Sequence, residues 1–273
     1  MLTKNWVSSE MSYLMSLFEI IKSSSFINRV RNQLNIRPNY ASMANAGHFN
    51  FYSDLFPWRQ DKGLTTSLRL SNPFALYEKT KPVKVALNIF NRNGALIDKQ
   101  VFETRDKSIT LNLQEFLKSK YGDYGTFEVF LQPANGMDQS GTNFVNRCYV
   151  GFRHQHTNTE SYCHGNFISK RLHQDSSGEW VVHSDVLTKT LFESSYWIQK
   201  QFDLSIKNEL FFANGSNQTS WISLNSGKKH YLPSNASIIL EAKEKLVVVK
   251  SDLALPRPII FSYTDEWLDC HHA

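Results

Sequence analysis

Between Ser8 and Leu34 the apolar residues Met11, Leu14, Met15, Phe18, Ile21, Phe26, Ile27, Val30 and Leu34 recur mostly three or four positions apart. That is the spacing of one face of an α-helix. Ser8 or Ser9 offers a side-chain cap and Glu10 an anion near the positive end of the helix. Ser23-Ser24-Ser25 divides the segment into two helices, and Pro38 ends it. Residues 39–63 follow as an ordered connection rich in aromatic side chains, which water alone would leave poorly solvated.

From Leu64 onward the period shortens to two. Leu64, Thr66, Leu68 and Leu70 alternate with polar neighbours, then Val83, Val85, Leu87 and Ile89 do the same, as in strands with one buried face. Asn91-Arg92-Asn93-Gly94 reads as a hairpin turn whose Asn-Gly step accepts positive φ. Ile109, Leu111 and Leu113, and then Phe127, Val129 and Leu131, continue the series. The alternation fades from Phe167 to about Tyr196 and returns after Trp197, through Phe202, Leu204, Ile206, Ile222, Val249 and Ile259. Short strands at regular turn spacing predict β-sandwiches of immunoglobulin-like or jelly-roll-like type.

The stretch Arg147–Asn166, RCYVGFRHQHTNTESYCHGN, has an echo in Arg257–Ala273, RPIIFSYTDEWLDCHHA. Each runs from an arginine through an apolar strand and a polar turn to a Cys-His pair. This suggests an internal duplication, with a small length change in the turn of the kind surface loops tolerate. The expected organisation is mainly β: an N-terminal helical segment (1–45), a first β-sandwich (46–166), a packed connection (167–196) and a second, smaller β-sandwich (197–273).

Composition narrows the classes of function. The chain of 273 residues is long enough for two cores, and 41% hydrophobic and 13% aromatic residues describe a folded globular protein. Thirty basic against 25 acidic residues give +5, spread too evenly for a nucleic-acid footprint but favourable to acidic ligands. Three cysteines cannot form a complete disulfide framework. Glu10, Glu19 and Lys22 interrupt the apolar run near the N-terminus, and no window reaches bilayer-spanning length. A cytoplasmic protein with reduced thiols is the expectation.

Three constellations could carry chemistry. His154 and His156 are two apart, so a strand would place both imidazoles on one face, with Glu160 and His164 following at intervals of four. Imidazole with carboxylate suits Zn, Fe or Mn, and His271 could join from the echoed tail. His-x-His-x3-Glu followed by Gly165 resembles part of the first motif of the cupin family, which implies a divalent metal in a β-barrel held by His154, His156 and Glu160. Gly151 stands three residues before the first histidine, which departs from that family's glycine spacing. Cys163 as a nucleophile, activated by His156 or His183, is the second option. The third is recognition of a sugar or an anionic glycan precursor. Trp58 and Trp267 are its candidate stacking rings, Arg147 and Arg153 its candidate cations, and Trp180, Trp197, Trp221 and Tyr231 with Asn208, Asn214, Asn217 and Gln218 a wider reserve. Non-catalytic binding is the leading function, ahead of a metal-dependent enzyme and of homo-oligomerisation through the helix and the sheet edges.

Overall fold

The computed structural model describes residues 25–34, 50–77, 82–117, 122–132, 143–146, 148–157, 160–165, 168–174, 179–183, 189–198, 200–254 and 256–273. Of these, 59% lie in strands and 6% in helix, so the chain is mainly β. Helix α1 (Ser25–Gln33) precedes β1 (Asn50–Asp54), β2 (Phe56–Arg59) and β3 (Leu64–Ser71). The short α2 (Phe74–Tyr77) leads to β4 (Val83–Asn91), β5 (Leu96–Thr104), β6 (Ser108–Asn112) and β7 (Tyr124–Gln132). Next come β8 (Asn143–Asn146), β9 (Tyr149–His154), β10 (Ser161–His164), β11 (Ile168–Gln174) and β12 (Trp180–His183). The remainder is β13 (Lys189–Trp197), β14 (Lys207–Ala213), β15 (Ser220–Leu224), β16 (His230–Leu232), β17 (Ser237–Glu241), β18 (Val248–Leu253), β19 (Ile259–Tyr263) and β20 (Leu268–His272).

The described strands form five four-stranded sheets. Sheet I has the order β2-β7-β4-β5, sheet II β10-β9-β3-β6, sheet III β13-β18-β15-β16, sheet IV β20-β19-β14-β17 and sheet V β12-β11-β1-β8. Every pairing in sheets I to IV is antiparallel. Replacing β2, β3, β4, β5, β6, β7, β9 and β10 in order by β13 to β20 turns sheet I into sheet III and sheet II into sheet IV. The same strand order therefore occurs twice along the chain. The two stretches that echo one another in sequence are the equivalent hairpins β9–β10 and β19–β20.

The expectation of two self-contained sandwiches is corrected. The small sheets form a propeller-like ring instead. Sheet IV supplies the physical reason, because it buries apolar side chains on both faces. Leu210, Phe212 and Ile260 enter a core shared with Ile222 and Val249 of sheet III. Phe211, Ala213, Ile259 and Phe261 enter the larger core, with Phe56, Leu68, Val85, Phe127 and Phe152 of sheets I and II. The Phe152 and Phe261 rings meet edge to face at 4.8 Å, and Tyr124 meets Phe211 at 6.2 Å. Strand β7 is buried on both sides as well: Phe130 packs edge-on against Phe51 of β1 at 6.4 Å, so sheet V covers the back of sheet I.

The described residues of the expected packed connection, 167–196, form strands. Their strands β11 and β12 pair in sheet V with β1, and β13 joins sheet III. Of the expected N-terminal helical segment, the described residues include α1, which lies on β13. Gln33 Oε1 accepts from the Phe192 N–H at 3.3 Å and Arg29 donates to Gln218 at 2.7 Å. The remainder of that segment lies outside the described residues. The Asn91–Gly94 turn forms as its sequence predicts. Gly94 has φ 84°, and a Cβ there would lie 2.1 Å from the Ser234 carbonyl, so the turn also docks the two units together. Among the described residues no helix is long and apolar enough to cross a membrane.

Truncating Phe211 to Ala should destabilise the whole chain by roughly 3–5 kcal/mol, as for buried phenylalanines in general. Because sheet IV walls both cores, urea unfolding followed by fluorescence and by far-UV circular dichroism should show one coincident transition. Two resolved transitions would contradict this coupling.

Candidate functional site

Sheet II differs from sheet IV in having one open face, and the register of its strands states which residues share it. His164, Tyr149, Arg69 and Thr110 form one cross-strand row, Tyr162, Gly151, Ser67 and Asn112 the next, and Arg153 and Thr65 a third. The alternate rows, with Cys163, Val150, Leu68 and Phe152, point into the core. The open face is polar and organised. Tyr162 lies flat over Gly151, where a Cβ would stand 2.6 Å from both its ring and Ser67 Oγ. The Arg69 guanidinium sits 4.5 Å from the centre of the Tyr162 ring. Glu160 accepts from Ser67 Oγ at 2.9 Å and from the Tyr162 hydroxyl, and lies 3.5 Å from Arg69. Partial burial alone would raise the Glu160 carboxyl. The Tyr162 and Ser67 hydroxyls and the Arg153 and Arg69 cations outweigh it and hold the group below the usual glutamate range. Tyr149 is 56% exposed, and the Arg153 side chain is exposed.

The sequence-expected residues divide among several places. Arg153, Glu160 and His164 belong to this open face. Arg147 lies outside the described residues. Trp58 is corrected: its ring is fully buried, with the indole N–H donating to the Phe90 carbonyl at 2.8 Å, so it fills the core and offers nothing for a sugar to stack on. Trp267 is exposed in the β19–β20 turn. Of the wider reserve, Asn214 is buried and its amide donates to the Gln218, Leu232 and Pro233 carbonyls, so it holds loops. Trp221 lies beneath Lys229, whose Nζ is 3.6 Å from the ring centre.

The five metal candidates are not brought together. His154 faces inward, its ring 5.3 Å from His156 and 6.1 Å from Tyr263, whereas Glu160 is on the opposite face of the sheet. A hairpin turn separates them, and the even spacing that suits a continuous strand stops at His154. His271 sits 2.9 Å from Asp269, with Lys200 3.3 Å from its other nitrogen. Among the described residues no group of three or more His, Cys, Asp or Glu is placed to hold a metal ion.

His164 does meet the echoed tail. Its Nδ1 donates to the Gly165 carbonyl at 3.0 Å and lies 3.1 Å from His272 Nε2. Cys270 N–H donates to Ser161 Oγ at 2.8 Å, which sets β20 beside β10. Cys163 and Cys270 are both buried there, and burial together with the Cys163 neighbour pushes the Cys270 thiol well up. Cys270 is thereby kept in the thiol form, whereas the thiolate is the reactive one. Burial, and then the neighbouring His164 and Arg257, push His272 down to about 4.

One polar group that the sequence reading missed lies where the units meet. Arg59, fully buried at the end of β2, donates through Nε and Nη2 to Asp61 at 2.8 and 2.6 Å, and its Nη2 lies 2.7 Å from Glu209 of β14. Lys62 also pairs with Glu209. Burial opposes the Glu209 charge, but Arg59 and Lys62 prevail and hold its carboxyl below the ordinary range. The only trace in sequence was Arg59-Gln60-Asp61-Lys62 itself, since Glu209 follows 147 residues after Lys62. No family model, curated protein or solved structure matches the chain.

Two outcomes follow from this geometry. Glu209→Ala strips the buried guanidinium of one counter-charge and should cost roughly 3–5 kcal/mol in urea unfolding, the usual penalty for breaking a buried pair from one side. His272 resists protonation when folded, while the unfolded imidazole titrates near pH ~6.5. Its contribution is therefore complete above that value and is lost as the pH falls towards about 4. The melting temperature should drop across this window, and His272→Gln should flatten the drop. An unchanged slope would remove His272 as the cause.

Proposed function

We propose that this is a non-catalytic binding protein whose ligand is an acidic sugar or anionic glycan, taken on the open face of sheet II. The observation that carries the reading is the contrast between equivalent faces. In the second unit the corresponding face of sheet IV is covered, with Leu210 and Ile260 in the core shared with sheet III and Asn208 and Ser262 buried beside them, whereas in the first it is open and presents Arg69, Arg153, Tyr149 and Tyr162 in register. A guanidinium offers two parallel donors to a carboxylate, sulfate or phosphate. The exposed Tyr149 ring offers a flat apolar surface to the C–H face of a pyranose. Glu160 and Ser67, held by their mutual hydrogen bond, supply acceptors for sugar hydroxyls. The repeated strand order further supports descent of the two units from one duplicated ancestor, with the second copy's face given over to packing.

The test is a glycan array that includes uronic-acid and sulfated oligosaccharides, followed by titration of the best ligand. Replacing Arg69 or Arg153 by Ala should weaken binding about tenfold to a hundredfold each, the scale of a charge-assisted hydrogen bond. Added salt should weaken it further. Acidic glycans that bind the Arg69→Ala, Arg153→Ala double variant as tightly as the parent, or that fail to bind either, would refute the reading.

A further inference from the structure

We infer that the chain pairs with a second copy of itself along the outer edge of β5, so that two copies of sheet I join into one continuous antiparallel sheet. A strand at the end of a sheet presents a row of backbone donors and acceptors that another strand can satisfy, and short edge strands limit that exposure. Among the described strands, most of those at sheet ends are three to five residues long. Only β5 and β13 reach nine. β13 is blunted, because its register is irregular between Lys189 and Ser194 and α1 lies on it, with Gln33 accepting from the Phe192 N–H. β5 has β4 as its one described partner, and its register is unbroken from Asp98 to Thr104.

The side chains of β5 select the occupant. Lys99, Val101 and Glu103 alternate along its exposed face, Val101 being 54% exposed, while Gln100 and Phe102 between them are half-buried. A twofold axis normal to the sheet and passing through Val101 sets Lys99 of each copy opposite Glu103 of the other, with the two Val101 side chains meeting on the axis. Opposite charges and apolar pairs in directly facing positions are the contacts that stabilise antiparallel strands. The rest of this alignment brings no like charges together: Gln100 faces Phe102, Asp98 faces Thr104 and Ile97 faces Arg105. Glu103 already stands opposite Lys84 of β4, so the row across the joint reads Lys84, Glu103, then Lys99 of the second copy.

Charged residues ordinarily keep sheet edges apart, and here they do so in the adjacent alignments. Moving the axis to Phe102 places Lys99 opposite Arg105 and Asp98 opposite Asp106. Moving it to Gln100 leaves Lys99 facing Val101 and Glu103 facing Ile97. The edge is complementary to itself in one alignment and repelled or unmatched in its neighbours, which is how a strand pairing acquires a single register. The contact is isologous, the commonest kind in symmetric oligomers.

Light scattering of the full chain after gel filtration, over a concentration series, should give a mass of twice 31.5 kDa. Lys99→Glu and Glu103→Lys each turn both facing attractions into repulsions and should weaken dimerisation roughly tenfold or more. An equimolar mixture of the two variants should restore the dimer, because opposite charges then face each other at both positions again. Both side chains are exposed, so each variant should keep the parent's circular dichroism and melting curve. A parent that stays monomeric throughout the series overturns the proposal. So does a folded variant that dimerises as tightly as the parent, or a mixture that stays as weak as its components. Should a variant fail to fold, hydrogen exchange of the parent decides: protection across 96–104 should rise with protein concentration, and protection that does not change overturns the pairing.

Discussion

Leu210 and Phe212 leave one side of β14 for the core shared with sheet III, while Phe211 and Ala213 leave the other for the core shared with sheets I and II. A strand closed on both sides cannot tolerate loss of either neighbour, since each fully buried aromatic or aliphatic side chain contributes on the order of 1.5–3 kcal/mol by leaving water. The architecture depends on this one constraint. It removes the solvent side of sheet IV and brings β20 beside β10.

Burial of that face also draws charge inward. Glu209 lies on the same side of β14 as Phe211, so closing the seam carries its carboxylate out of water and against Arg59. Desolvation pulls the guanidinium towards losing its proton, but the Asp61 and Glu209 carboxylates outweigh it and Arg59 remains charged. A buried pair of this kind contributes little beyond a hydrophobic replacement of equal volume. Its value lies in register: the planar fork of Arg59 accepts two carboxylates only in a narrow range of orientations, so it fixes how β14 lies across the end of β2.

The open face of sheet II owes its character to the absence of such a cover. Glycine at 151 gives the Tyr162 ring a flat seat, Arg69 stacks on that ring, and Glu160 is held from below by Ser67. Each contact orders the next, so a ligand would meet groups whose rotamers are already chosen. Preorganisation of this kind lowers the entropic cost of association.

Alternation of apolar residues located β3, β4, β6 and β7 along the chain, and the Asn-Gly step located the β4–β5 turn, because both signals arise within a few residues of backbone. The matched Cys-His stretches were legible for the same reason, and they occupy equivalent hairpins. The continuous apolar runs Leu210–Ala213 and Ile259–Phe261 carried the further information that sheet IV is buried on both faces, a signature that period-two reasoning reads only as a strand. What tertiary structure alone decided was partnership. Whether His154 and Glu160 share a face depends on where the hairpin between them turns, Trp58 is a core residue because its indole lies against Gly125 of β7 and reaches the Phe90 carbonyl, and Arg59 finds Glu209 across the seam between the units. Those pairings are set by sheets folding on one another over long stretches of chain, and no local pattern encodes them.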